Sequence, residues 1–88
     1  MDTLVKRSDS IELRKSGEDV VVYDPKADKV HILNASAGEI LETCGEPKSI
    51  KEIASALQSR YGISEAQAFE DANEAVALFR DLGLIVAI

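Results

Sequence analysis

Val20-Val21-Val22-Tyr23-Asp24-Pro25-Lys26-Ala27-Asp28-Lys29-Val30-His31-Ile32-Leu33-Asn34-Ala35-Ser36-Ala37-Gly38-Glu39-Ile40-Leu41 is the stretch in which the chain passes from strand to helix. Val20–Tyr23 and Val30–Leu33 are β-branched and aromatic runs that favour the pleated conformation. The residues between them, with Pro25 and two aspartates, make a loop. Upstream, Ile11 and Leu13 alternate with Glu12 and Arg14 as a half-buried strand does, and Ser16-Gly17 supplies a turn. Each connection is too short for a parallel crossover, so the three strands form an antiparallel meander.

Downstream the period becomes helical. Asn34 or Ser36 caps a helix that carries Ile40 and Leu41, with Glu39 in its first turn, and Cys44-Gly45 ends it ahead of Pro47. Ser49 and Glu52 have the spacing of a capping box, ahead of an apolar face of Ile50, Ile53, Ala54 and Leu57. Gly62 stops that helix. Ser64 opens a third helix that runs to about Leu82, and Gly83 terminates it. Leu84–Ile88 is an apolar tail, read as a strand or a strap over the core. The order predicts an α+β fold: a three-stranded antiparallel sheet followed by three helices, like a winged helix-turn-helix. Residues 1–10 are read as a flexible N-terminus and residues 11–88 as a single domain.

Composition narrows the function. The 88 residues hold one core, and with 45% hydrophobic and 30% charged residues the chain is globular. Aromatics are 5% with no Trp, so the core is aliphatic. The net charge of −6 argues against nucleic acid and against an anionic membrane surface, both of which reward Lys and Arg. Residues 1–34 carry six basic and seven acidic side chains, whereas residues 35–88 carry four and nine, so the helical half is the acidic half. No signal-peptide core stands at the start, and no apolar run approaches the roughly 20 residues that span a bilayer. With a lone cysteine and no disulfide framework, a cytoplasmic setting is expected.

No catalytic constellation is visible. His31 is the only histidine, and no triad or metal-ligand spacing surrounds it. Glu39 with Glu42, and Glu70 with Glu74, share helix faces and read as solvated surface. Cys44 reads as a small semi-buried residue and not as a nucleophile. No catalytic residue, metal site or cofactor is expected.

The apolar residues exceed what one packing surface needs. At 100° per residue, Phe69, Ala72, Val76 and Phe79 fall within about 80°, and Ala68, Ala75, Leu78 and Leu82 widen that stripe to about half the third helix. The strands Val20–Tyr23 and Val30–Leu33 lack the polar alternation of a sheet with one solvated face. A three-stranded meander also leaves two edges with unpaired backbone groups. An open edge beside an apolar helix flank suits capture of an extended peptide by strand addition, with backbone bonds giving affinity and alternate side chains selectivity.

The run Tyr23-Asp24-Pro25 through Val30–Leu41 resembles the PqqD-like family, also called RiPP recognition elements. So do Ser49–Ala54 with Leu57, Tyr61-Gly62-Ile63-Ser64, and Leu78–Leu84. The Leu33-Asn34-Ala35-Ser36-Ala37 step from strand to helix is the most specific part, and the likeness covers roughly residues 11–86. The chain departs from many relatives in having Cys44 before Gly45, where they carry an acidic residue.

The resemblance implies a winged-helix-like domain that does no catalysis and binds the leader of a ribosomally made precursor peptide. Val30, His31, Ile32 and Leu33 would provide the ladder, and Phe69, Ala72, Asn73, Val76 and Arg80 would line or rim the cleft, so that Val76→Asp would weaken binding in a folded protein. A peptide-modifying enzyme, such as a radical S-adenosylmethionine enzyme or a leader peptidase, would be the second partner. Two readings from other classes stand beside this one. A winged-helix DNA-binding regulator needs basic and amide side chains on an exposed helix face, whereas the second helix offers Lys51, Gln58 and Arg60 against Glu52 and the third offers mostly acids. A self-associating module would pair its edge strands across a two-fold axis as a homodimer.

Overall fold

A computed structural model describes residues 3–88. Its elements, in chain order, are β1 (Val5–Arg7), β2 (Glu12–Ser16), β3 (Asp19–Asp24), β4 (Lys29–Leu33), α1 (Ala35–Thr43), α2 (Ile50–Tyr61), α3 (Glu65–Asp81) and β5 (Ile85–Ala87). The expected α+β order is present: the antiparallel sheet β2-β3-β4 precedes three helices. Gly17, at φ +64°, opens the β2–β3 hairpin in the left-handed conformation that tight hairpins demand. Asp24 folds the β3–β4 turn by accepting hydrogen bonds from the backbone N–H of Lys26 and Ala27 at 3.1 and 3.3 Å.

Every helix begins on a side-chain cap. Asn34, rather than Ser36, caps α1 by accepting from the Ala37 N–H at 2.9 Å, while Ser36 donates its hydroxyl to the same Asn34 oxygen. Glu39 therefore falls beyond the first turn. Ser49 and Glu52 form the reciprocal capping box of α2, and Ser64 caps α3. The backbone N–H of Ser49 holds the Glu52 carboxyl below its usual range, so acid loosens the start of α2. Gly62, at φ +64°, ends that helix in the αL conformation.

The N-terminal residues are the main correction to the sequence reading. Residues 1 and 2 lie outside the described residues, but β1 is not a flexible lead. It pairs antiparallel with β5, Val5 opposite Ala87 and Arg7 opposite Ile85. On its other side Val5 exchanges backbone hydrogen bonds with Lys48, and the Arg7 N–H donates to the Cys44 carbonyl. Val5 is fully buried in the core. Three residues are too few to carry a period of two, and Lys6-Arg7 disguises them as polar lead. The apolar tail is thus a strand, and its partner is β1 and not the three-stranded sheet.

The core lies between the inner face of β3 and the three helices: Val20 and Val22, Ile40 and Leu41, Ile53 and Leu57, Ala68, Ala72, Val76 and Phe79. Gly38 is the point of closest approach of α1 to the sheet. A Cβ there would stand 2.8 Å from the Val20 Cβ and closer still to its Cγ2. Valine has little rotamer freedom with which to yield. Gly38→Ala is therefore expected to destabilise the domain by about 1–3 kcal/mol of overpacking, outweighing the up to about 1 kcal/mol that alanine contributes to a helix. Urea denaturation reads the difference.

Candidate peptide-binding site

The site begins with the edge strand β4. Its partner on one side is β3, with Val20 opposite Leu33, Val21 opposite Ile32, Val22 opposite His31 and Tyr23 opposite Val30. Among the described residues no strand pairs with its other side. Residues directly opposite one another share a face. Lys29, His31 and Leu33 therefore lie with buried Asp24, Val22 and Val20 on the inner face. Val30 and Ile32 lie with Val21 and Tyr23 on the outer one.

A cleft of about 480 Å³ opens where β4 ends. Asn34, Ser36, Ala37 and Ile40 form one wall, Leu57, Tyr61 and Ile63 the floor at the end of α2, and Asp71, Glu74, Ala75 and Leu78 of α3 the other wall. Asn34, which directly follows β4, lines the cleft, so the cleft meets the C-terminal end of the strand. The walls carry two carboxylates, Asp71 and Glu74, and no Lys, Arg or His. Asp71 accepts a hydrogen bond from the Gln67 amide at 2.8 Å, one turn earlier on α3.

The residues expected in the site divide. Val30 and Ile32 are exposed, His31 is half-buried, and Leu33 belongs to the core. On α3 the expected row does not line this cleft. Ala72 and Val76 are buried at the centre of the apolar stripe, packed into the core. Phe69, Asn73 and Arg80 lie on the far flank, about 170° around the helix from the Asp71, Glu74, Ala75 and Leu78 row. Asn73 donates its amide to the Phe69 carbonyl and stays in solvent. The residues that sequence reasoning missed are Asp71 and Glu74, with Ile40, Leu57, Tyr61 and Ile63 opposite. The i, i+3, i+4, i+7 spacing of 71, 74, 75 and 78 was the available signal.

Cys44 lies buried at the end of α1, near Arg7 and Lys48. Burial pushes its thiol from an ordinary 9.0 up to about 11, against the smaller downward pull of those two cations. The thiolate is the reactive form, so the folded protein is expected to resist iodoacetamide at pH 8 and to react only on unfolding. The unfolded chain loses this proton first. Stability from this group is therefore complete below about pH 9 and declines as pH rises towards 11. Among the described residues no three His, Cys, Asp or Glu side chains converge where a metal ion could sit. No helix among them is long and apolar enough to cross a membrane.

Comparison with known proteins agrees with this architecture. The structure of TbiB1 in complex with the TbiA(beta) leader peptide superposes with a TM-score of 0.81 at 20% identity, over 91% of this chain and 93% of that one. That of a lasso peptide synthetase B1 complexed with the leader peptide superposes at 0.78 and 20% identity, over 93% and 96%. At such identities the likeness establishes the fold. No curated protein matches the chain. The family model of coenzyme PQQ synthesis protein D matches residues 19–85, from the first residue of β3 to the first of β5, and the chain accordingly belongs to the PqqD family.

Proposed function

We propose that this chain is a non-catalytic module that binds the leader segment of a ribosomally made precursor peptide by strand addition and delivers it to a modifying enzyme. The observation that carries the reading is that the open β4 edge ends at the apolar cleft between α1 and α3. An added strand satisfies the free N–H and C=O groups of residues 29–34 and places every second side chain towards the cleft. Two solved structures of the same fold, TbiB1 and the lasso peptide synthetase B1, were each determined with a leader peptide, which supports this use of the scaffold. Family membership supports a chaperone-like role without chemistry of its own.

Asp71 and Glu74 add a charge preference. A guest with Lys or Arg near its cleft-facing residues gains affinity that salt screens. The test is an amide chemical-shift titration with the leader segment of a ribosomally made precursor peptide from the same genome. Saturable shifts confined to residues 29–40, 57–63 and 71–78, at micromolar or tighter affinity, are expected. Shifts scattered over the surface, or none, would remove the reading.

A further inference from the structure

The outer face of the three-stranded sheet changes character from one edge to the other. At the β2 edge the outward residues are Glu12, Arg14 and Ser16, all exposed and polar. At the β4 edge they are Val30 and Ile32, which are 61% and 71% exposed, backed by Val21 and Tyr23. Charged outward residues guard an edge against pairing, and aliphatic ones invite it. One edge of this sheet is guarded and the other is not. The cleft does not account for Val30 and Ile32, because it lies on the opposite side of the sheet from them.

We infer that Val30 and Ile32 form a second recognition row, which reads the outward-facing side chains of the same guest strand whose inward-facing side chains enter the cleft. This rests on the strand-addition reading and extends it. A strand added to β4 places its outward side chains about 4.5–5.5 Å, Cβ to Cβ, from Val30 and Ile32. Those positions then favour aliphatic or aromatic residues. The guest is apolar on both faces over the paired segment, unlike an ordinary edge strand with one solvated face. A second copy of this chain fits less well as the occupant. Of its own inward β4 residues, Leu33 is committed to its core, which leaves Lys29 and His31 and no apolar side chain for the cleft, whereas a foreign segment has both rows free.

The experiment uses a displayed library of random 12-residue peptides selected on the full chain and on Ile32→Lys. Ile32 is exposed, so the variant keeps its fold, which thermal unfolding verifies. Wild-type selection is expected to enrich peptides with apolar residues in both registers of a period of two. Selection on Ile32→Lys is expected to lose the apolar preference in one register, with acidic residues replacing it, and to keep the other. An individual wild-type binder should bind the variant roughly tenfold more weakly.

Enriched peptides that are apolar in one register only, and indifferent to Ile32→Lys, would overturn the second row and leave strand addition standing. Concentration-dependent shifts of the residue 30 and 32 amides without peptide would assign the row to a second copy and overturn it too. No enrichment on folded protein would sink strand addition itself, and the second row with it.

Discussion

Val76→Asp is expected to unfold this domain. Val76 is 3% exposed and sits on the buried face of α3 with Ala72 and Phe79, inside the apolar core. The substitution forfeits about 1.5–3 kcal/mol of valine burial. It also leaves a carboxylate in an apolar interior with no partner, a penalty of several kcal/mol more. A chain of this length has on the order of 5–10 kcal/mol of stability in all. The far-ultraviolet signal at 25 °C should therefore be that of a largely unfolded chain, with no cooperative thermal transition. A folded variant with weakened peptide binding, the outcome that the sequence alone suggested, would mean that α3 is rotated from its place here.

Leu78→Asp, two residues on, is expected to do the opposite. Leu78 is 53% exposed on the cleft wall, so the fold tolerates the charge and the melting temperature changes little. Peptide binding suffers instead. A guest side chain seated on Leu78 loses its apolar contact and must desolvate a carboxylate, together about 3 kcal/mol or roughly a hundredfold in Kd. The new charge lies beside Asp71 and Glu74, which draws cations, so the neutral Leu78→Ala is the control. It should weaken binding about tenfold without altering its salt dependence. Calorimetric titration with the leader peptide measures both. Unchanged affinity in folded Leu78→Ala would take the guest out of the cleft.

The contrast between these neighbours explains what was legible in the sequence. Strand and helix order, the Ser49–Glu52 box, and the Gly17 and Gly62 stops are local chemistry, and the structure has them where the residues put them. The surplus of apolar surface on α3 and β4 was legible too. Its partition was not. A helical stripe about half a circumference wide has a centre and two flanks, and periodicity does not say which flank borders an opening. The packing of α2 against α3 decides it: the centre, with Ala72 and Val76, goes into the core. The flank with Asp71, Ala75 and Leu78 faces the cleft, and that with Phe69, Asn73 and Arg80 faces away.

The pairing of β1 with β5 was hidden for a different reason. Partners some 80 residues apart, three residues each, give no pattern that a local window detects. That pairing matters to function because it removes the tail as a competitor for β4. Leu4 and Ile88 close the far end of the two-stranded ladder by a backbone hydrogen bond of 2.8 Å, so β1 and β5 are occupied with each other.

Amide hydrogen exchange along β4, with and without the leader peptide, goes most directly to the claim that a foreign strand completes this sheet. Alternate amides between Lys29 and Asn34, those that β3 does not bond, should exchange rapidly in the free protein and slow by about a hundredfold or more at saturation, while β2 amides stay unchanged. Bound peptide with those amides still exchanging freely, or with protection arising along β2, would contradict it.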